Sequence, residues 1–283
     1  MNPEPQGVLY VVSTPIGNLD DITLRALKVL KEVEVIAAES VLRTKALLNH
    51  YGIKKKVISF RRENQKTVAE KIIKILKEGK NIALVSDAGT PGISDPGSYL
   101  VSKAREKGIK IVPIPGPSAL ITAISIAGLP YSGFLFLGFL PSQAKKRRKK
   151  LKDFCDFMLP IVIFESPHRL IATLRDIKEI FGNRKILLFK ELTKVYEEVK
   201  QGYIEGLLAE LKTIEIRGEY VIIIMPEDRK APKEEDITDE VDVMLKQGIS
   251  TIDIARFISK EKGIPYRKAY KKCLERKKII YGG

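Results

Sequence analysis

The chain reads SDAGTPGISDPG from Ser86 to Gly97, directly after the apolar run Ile82–Val85. The apolar run predicts a buried strand, and the small and polar residues that follow it predict a loop where that strand ends. Ligands of open α/β sheets bind beyond the carboxyl ends of the strands. Small residues there let the backbone approach a ligand, while Asp, Ser and Thr side chains hydrogen-bond to it. The loop therefore predicts part of a ligand site.

Two more loops of this kind follow predicted strands. STPIGNL, at Ser13–Leu19, comes after Val8–Val12, and PIPGPSA, at Pro113–Ala119, comes at the end of Ile109–Ile114. Each alone is compatible with an ordinary βα turn, but together they predict one site at one sheet edge. The chain contains neither G-x-x-x-x-G-K-[ST] nor G-x-G-x-x-G, so we expect neither a Walker phosphate loop nor a nicotinamide cofactor.

The order of the predicted elements indicates an α/β protein. Strands alternate with helical patterns up to Gly128, which predicts a mostly parallel sheet covered on both faces. Four later apolar runs predict a second sheet with one long helix between two of its strands. We expect an N-terminal α/β domain over 1–114, a C-terminal α/β domain over 115–227, a polar connector over 226–236, and a small helical tail over 237–283.

Composition restricts the class of partner. The 283 residues include 50 Lys and Arg against 35 Asp and Glu, a net charge of +15, which favours a polyanion. Nucleic acid is the preferred interpretation and an anionic membrane surface the alternative. No apolar stretch reaches the length of a membrane span, so a cytoplasmic location is expected. Two cysteines without a C-x-x-C motif, and two histidines, predict neither a metal site nor a disulfide framework.

Ionisable residues also follow two strands of the predicted second sheet. Glu165, His168 and Arg169 lie within FESPHR, and Glu191 and Lys194 lie within KELTK. Three ionisable groups at one strand end favour a functional cluster, with a surface salt-bridge cluster as the alternative. KELTK is equally compatible with solvent-exposed charged residues at the end of a strand. Ser166 and Pro167 are typical of a helix N-cap and first helical position.

A run of basic residues between Lys145 and Lys152 predicts a phosphate-binding arm, although a solvated helix face is the commoner meaning of such a run. Its members are Lys145, Lys146, Arg147, Arg148, Lys149, Lys150 and Lys152. The tail is only loosely similar to a helix-turn-helix, and its net positive charge is compatible with RNA contact.

The chain contains seven motifs in this order: STPIGN, SDAGTPGISDPG, PIPGPSA, GFLP with the basic run, FESPHR, KELTK and RGEY. The same motifs occur in the same order in the ribosomal-RNA branch of the tetrapyrrole methylase superfamily, which this chain resembles over about residues 8–225. The resemblance implies a class III methyltransferase fold with two α/β domains and S-adenosylmethionine in the cleft between them. It also implies a homodimer that methylates the 2′-hydroxyl of a cytidine in the decoding region of 16S rRNA in the 30S subunit.

The resemblance further implies which residues form the site. The cofactor pocket is expected to involve Pro15, Asp87, Ala88, Gly89, Ile93, Ser94, Ser118, Ala119, Phe164, Gly218, Glu219 and Tyr220. We hypothesise that Glu165 or Lys194 accepts the hydroxyl proton, with Glu191 as a further candidate. Asn18 and His168 are expected to orient the ribose, and Arg169 to hold a phosphate.

Two segments depart from the family pattern. AEDTR is usual where this chain has AESVL at 38–42, and YHEHNE is usual where it has FRRENQ at 60–65. The cofactor loops keep the family pattern, so we expect the altered segments to face the substrate. The remaining alternatives are a precorrin-type methylase, a diphthine synthase, and a ribosome-associated RNA-binding protein without turnover.

Overall fold

The computed structural model describes residues 6–155, 157–226, 237–262 and 264–282. The chain divides into two compact units, Met1–Pro226 and Glu227–Gly283. The first unit contains two five-stranded sheets, and the described part of the second unit is helical. The α/β class with a helical tail is therefore confirmed.

The first sheet is parallel throughout and has the order β3-β2-β4-β1-β5. Its strands are β1 (Leu9–Val12), β2 (Val35–Ala38), β3 (Lys56–Ser59), β4 (Ile82–Val85) and β5 (Ile111–Ile114), and its helices are α1 (Leu24–Glu32), α2 (Val41–His50), α3 (Gln65–Lys77) and α4 (Ser98–Glu106). Helices pack on both faces, so β2 and β4 are buried along their whole length. Such burial produces the continuous apolar run that identified β4 in the sequence.

The second sheet is mixed and has the order β6-β7-β10-β8-β9. The chain enters it through α5 (Ala119–Ile126) and continues through β6 (Leu135–Phe139), α6 (Ala144–Lys152), β7 (Ile161–Glu165), α7 (Pro167–Phe181), β8 (Lys185–Lys190), β9 (Glu198–Tyr203), α8 (Ile204–Leu211) and β10 (Tyr220–Ile224). Strands β6 and β7 are parallel, and the other pairs are antiparallel. The predicted long helix is α7, with a proline at its start.

Three strands and three helices of the first unit carry no clear sequence signal. Strand β2 contains two alanines, a residue depleted in strands, and β9 is a largely exposed edge strand with polar residues. Strand β3, helices α2 and α8, and the helical form of α6 also went unpredicted. The domain boundary at residue 114 stays a prediction.

The described part of the second unit consists of three helices. They are α9 (Thr238–Lys246), α10 (Thr251–Lys262) and α11 (Tyr266–Tyr281), and they share a small apolar core. The guanidinium of Arg276 forms a bidentate ion pair with the carboxylate of Asp242, which ties α11 to α9. The predicted connector lies outside the described residues apart from Pro226. None of the described helices is long and apolar enough to cross a membrane.

Candidate active site

A cavity of about 350 Å³, the central cavity, lies between the two sheets of the first unit. Loops that follow β1, β4, β5, β7 and β8 meet there with the start of β10. Its volume is typical of a site for a small organic molecule. The lining residues are Ile16, Ala88, Gly89, Thr90, Ile93, Ser94, Asp95, Ser118, Ala119, Phe139, Phe164, Glu165, Ser166, Pro167, His168, Phe189, Leu192, Lys194, Glu219, Tyr220 and Val221.

Hydrogen bonds hold the three loops of the first sheet together. The backbone groups of Thr14 and Gly89 form a reciprocal pair with N···O distances of 2.9 and 3.0 Å. The hydroxyl of Thr90 lies 2.8 Å from that of Ser13 and donates to the carbonyl of Pro117 at 3.2 Å. Gly89 has a φ of +75°, which favours glycine at this turn. The three loops therefore converge at one edge, as their positions after parallel strands predict.

Aromatic and aliphatic side chains of the second sheet form the opposite wall. The ring of Phe164 makes edge contacts with the rings of Phe136 and Phe139, with centroids 4.9 and 5.6 Å apart. Phe189 and Tyr220 lie on the neighbouring strands β8 and β10 and are buried. Packed rings make this wall apolar, and so suit it to a planar, partly apolar ligand.

Glu165 lies at the end of β7 and is buried, with 1% of its surface exposed. One carboxylate oxygen accepts from the hydroxyl of Thr173 at 2.6 Å, and the other accepts from the backbone N–H of Ser166 at 2.8 Å. The Nε atom of Arg169 lies 3.3 Å from that second oxygen. The carboxylate of Glu165 thus contacts Ser166, Arg169 and Thr173, at the start of α7 and within it. Glu165 therefore positions the turn between β7 and α7.

Arg169 is committed to the protein rather than to solvent. Its Nη2 atom donates to the carbonyl oxygen of Leu140 at 2.7 Å and lies 3.3 Å from that of Pro141. These contacts tie α7 to the segment before α6, and the phosphate contact expected of Arg169 stays a prediction. His168, in contrast, is exposed at the rim of the central cavity. Ser166 occupies the N-cap position of α7 without a side-chain cap, since its hydroxyl lies 3.3 Å from Glu165.

Lys194 forms the centre of a charged group at the opposite side of the cavity. Its Nζ atom donates to Glu191 at 2.8 Å and to Glu219 at 3.0 Å. Partial burial alone would lower the pKa of Lys194, but the hydrogen bonds to the two carboxylates outweigh burial and raise it. Lys194 therefore remains protonated at neutral pH, a state in which an amine cannot accept a proton.

The loop around Lys194 also joins the two sheets. The backbone N–H of Asn18, after β1, donates to the hydroxyl of Thr193 at 3.1 Å. A Cβ atom at Gly17 would lie 2.4 Å from Cγ of Lys194, so only glycine permits this approach. Glu191 and Thr193 have φ values of +51° and +66°. Left-handed backbone at two non-glycine residues shows that surrounding contacts hold this loop in a strained conformation.

The structure brings most of the expected cofactor residues to the central cavity. Ala88, Gly89, Ile93, Ser94, Ser118, Ala119, Phe164, Glu219 and Tyr220 line it, whereas Pro15, Asp87 and Gly218 do not. Of the candidate catalytic residues, Glu165, Lys194 and His168 line it and Glu191 does not. Asn18 and Arg169 are also outside the lining. Gly218 contributes indirectly, because Glu191 packs where a Cβ atom of residue 218 would lie, 2.4 Å from Cγ of Glu191.

An adjoining cavity of about 580 Å³ lies on the first-sheet side of the central cavity. The two cavities share Ser94, and the adjoining cavity is lined by Glu39, Ser40, Arg61, Arg62, Glu63, Asp87, Ser94 and Pro96. Both segments that depart from the family pattern, AESVL and FRRENQ, contribute to it. Asp87 is held here by the backbone N–H of Ser40 at 2.9 Å and by the guanidinium of Arg43 at 3.2 Å.

Asp95 was missed as a candidate from the sequence. It lines the central cavity next to Ser94 and is half-buried. Burial first, and then the negative charges of Glu39 and Asp87, raise the pKa of Asp95 to about 6. The only signal for it in the sequence is its place in the SDPG end of the loop after β4.

The basic run forms helix α6. Arg147 is buried against α7, where its guanidinium contacts the carboxylate of Asp176 at 2.6 Å. Nε of Arg148 contacts the other oxygen of Asp176 at 2.7 Å. Arg147 is therefore a packing residue, contrary to the expected phosphate contact. The remaining cations leave one strongly basic face, formed by Lys145, Lys146, Arg148, Lys149, Lys150 and Lys152.

The described residues contain no group of three or more His, Cys, Asp or Glu side chains arranged to hold a metal ion.

Comparison with known proteins supports a family assignment. Residues 8–208 match the family of tetrapyrrole (corrin/porphyrin) methylases. A protein of Halalkalibacterium halodurans named ribosomal RNA small subunit methyltransferase I is 41% identical over 273 residues, which is 94% of each chain. A protein of the same name from Thermotoga maritima is 47% identical over 218 residues, or 77% of this chain and 98% of its own.

Solved structures share the fold at lower identity. Uroporphyrin III C-methyl transferase from Thermus thermophilus superposes with a TM-score of 0.56 at 19% identity, covering 77% of this chain and 97% of its own. A diphthine synthase superposes with a TM-score of 0.61 at 16% identity, covering 78% and 90%. With the family match and the long, closely related sequences, these findings lead to one conclusion: the chain belongs to the tetrapyrrole methylase family, in the branch that contains the ribosomal RNA small subunit methyltransferases I.

Proposed function

We propose that this protein transfers the methyl group of S-adenosylmethionine to small-subunit ribosomal RNA, at the 2′-hydroxyl of a cytidine in the decoding region of 16S rRNA within the 30S subunit. The observation that carries the proposal is the pairing of the central cavity with an exposed basic helix on the same compact unit. Relatives named for this rRNA activity, at 41–47% identity, support the choice of substrate.

The central cavity fits the cofactor in size and chemistry. Phe164, Phe189 and Val221 supply apolar walls for an adenine ring, and Ser118 and Thr90 supply hydroxyls for the polar groups. Gly89, with a φ of +75°, presents only backbone to this part of the cavity. Carboxylates at Asp95 and Glu219 suit a cationic ligand.

Bound S-adenosylmethionine supplies a methyl group on a positively charged sulfur. The residues of the chain need to hold the acceptor hydroxyl in line with that methyl group and to exclude water, and orientation of this kind contributes up to roughly 7–11 kcal/mol in favourable cases. The carboxylates of Glu165 and Glu191 hold neighbouring groups in place through hydrogen bonds. We expect His168, which is exposed at the rim of the central cavity, to contact the ribose.

The basic face of α6 is the proposed contact with rRNA phosphates. Ion pairs anchor the helix to α7 through Arg147, so its exposed lysines are presented on a rigid support. Phosphate contacts of this kind provide affinity and register without reading sequence. We also place the protein in the cytoplasm, where ribosomal subunits assemble. We also propose a homodimer, as the resemblance to the family implies, and the exposed side chains of Val195 and Tyr196 are available for its interface.

The test combines cofactor binding and methyl transfer. S-adenosylmethionine at 100 times its Kd should stabilise the folded protein by about 2.7 kcal/mol in a thermal unfolding assay. Incubation with labelled cofactor and under-methylated 30S particles should then label one ribose, located by mapping the modified nucleotide. Stabilisation without labelling of 30S particles favours the RNA-binding alternative. Labelling of a tetrapyrrole substrate instead would contradict the assignment.

A further inference from the structure

The helices of the second unit differ in charge. Helix α9 contains one Lys against two Asp and one Glu, whereas α11 contains seven Lys or Arg against one acidic residue, Glu275. A solvent-exposed helix typically alternates both signs of charge along its surface. The concentration of positive charge on α11 therefore favours contact with a polyanion over simple solvation.

The positive charge of α11 includes a row on the face opposite its core. Ala269 and Cys273 are buried in the apolar core that α11 shares with α9 and α10. With 3.6 residues per turn, Arg267, Lys271 and Lys278 lie on the other side of the helix, and all three are exposed. These three residues form the α11 basic face. It extends over three turns, or roughly 16 Å, a length that spans several phosphates of one nucleic-acid strand.

An aromatic pair lies at the start of α11, next to this face in the sequence. The rings of Tyr266 and Tyr270 are stacked, with centroids 5.8 Å apart and an angle of 12° between their planes. Tyr266 is 41% exposed, and Tyr270 is half-buried. Unpaired bases stack on aromatic side chains in proteins that bind single-stranded nucleic acid, where a basic surface follows the phosphates. Tyr266 and the neighbouring Arg267 combine these two kinds of group.

These residues match single-stranded RNA better than two other polyanions. A helix that lies on a membrane surface needs an apolar face free for the bilayer, whereas Ala269 and Cys273 of α11 are buried within the unit. Duplex DNA could contact the α11 basic face through its phosphates, but its bases are paired and stacked. The exposed ring of Tyr266 would then have no base to contact.

We propose that the second unit binds single-stranded segments of small-subunit rRNA through the α11 basic face and Tyr266; the choice of rRNA as the partner rests on the proposed function. The match to the methylase family ends at residue 208, within the first unit, so this surface lies outside the matched region. It contributes affinity for RNA through phosphate and stacking contacts, and the chemical step stays with the central cavity.

The test replaces Arg267, Lys271 and Lys278 of the full chain by glutamine. Filter binding measures affinity for an RNA fragment of the decoding region between about 0.05 and 1 M salt. Loss of three contacts to a single strand should lower the slope of log K against log salt by about 2, and weaken binding at 0.1 M salt by up to about 100-fold. S-adenosylmethionine affinity, measured by calorimetry, and the single-turnover rate at saturating 30S particles should stay unchanged.

The matched control replaces three exposed lysines of one helix in the first unit, Lys71, Lys74 and Lys77 on α3, by glutamine. It removes the same charge and should leave the salt slope unchanged. A second variant tests the stacking contact. Tyr266→Ala should weaken RNA binding by about 5–150-fold, whereas Tyr266→Phe keeps the ring and should bind as the unaltered protein does.

Unaltered RNA binding by the α11 glutamine variant would overturn the inference. An equal loss in the α3 control would do the same, because net charge alone would then explain the effect. A loss seen only with duplex DNA, or only with vesicles that contain anionic lipid, would assign the surface to that partner instead. None of these results affects the proposed function, provided that the unaltered protein methylates 30S particles. If the unaltered protein binds RNA through the α11 basic face but methylates nothing in 30S particles, the proposed function fails and the RNA contact stands.

Discussion

Removal of the Asp176 carboxylate should destabilise the first unit strongly. Asp176 is 3% exposed and receives Nε and Nη2 of the buried Arg147 on one oxygen, at 2.7 and 2.6 Å. In Asp176→Ala the Arg147 guanidinium keeps only the carbonyl of Ser142, at 3.2 Å, and stays buried as an uncompensated charge. Loss of one member of a buried ion pair costs about 3–5 kcal/mol. Half-exposed Arg148 adds little to that figure.

The assay is urea unfolding followed by circular dichroism, with thermal unfolding alongside. For a unit of this size, each kcal/mol corresponds to about 2–4 °C, so the melting temperature should fall by about 6–20 °C. The control is Glu179→Ala, which removes an exposed partner of Arg148 at 3.3 Å and should change stability by less than about 1 kcal/mol.

A double variant separates the buried charge from simple packing. Arg147→Met combined with Asp176→Leu replaces both charges with apolar groups and should recover most of the lost stability, since buried pairs are often replaced by apolar residues at little cost. A loss of less than about 1 kcal/mol in Asp176→Ala would refute the reasoning, because solvent would then be reaching Arg147.

Three further predictions concern other parts of the first unit. Replacement of Lys145, Lys146, Lys149 and Lys150 on the basic face of α6 by glutamine should weaken RNA binding and flatten its salt dependence, while cofactor affinity stays constant. Filter binding at several salt concentrations measures the effect on RNA. Gly218→Ala should cost about 1–3 kcal/mol in urea unfolding because of its positive φ and the contact with Glu191, whereas Gly206→Ala, with nothing near its Cβ position, should not destabilise. Partial burial raises the pKa of Glu191, but hydrogen bonds from Lys194 and the Glu219 backbone outweigh burial and lower the pKa below 4.5. The ionised Glu191 therefore stabilises the folded protein above that pH, and this contribution is lost as the pH falls. The stability difference between the unaltered protein and Lys194→Met should therefore shrink in acid; a difference that is constant down to pH 3 would contradict this.

The central strands and the loops that follow them could be predicted from the sequence. The run Ile82–Val85 is buried on both faces, so every residue in it is apolar, and the glycines and prolines after it mark the turn. Such signals lie within a few residues of one another, and local patterns are what a sequence displays directly. Edge strand β9 could not be predicted, since its exposed side chains carry no apolar alternation.

The roles of the charged residues were decided by the tertiary structure. Charged residues of the kind that bind substrates are here paired with other residues of the protein, as for Glu165, Arg169 and Arg147. Arg147 and its partner Asp176 are 29 positions apart in the chain. Asp95 was overlooked because its raised pKa comes first from burial and then from the charges of Glu39 and Asp87, and the sequence shows neither burial nor distance through space.

The sequence by itself therefore determined the α/β class, the loops at the strand ends and the family. Only the tertiary structure decided which ionisable groups face the central cavity and which are held in packing contacts elsewhere. The physical reason is that burial and charge–charge interaction depend on distances through space, and folding sets those distances between residues that are far apart in the chain.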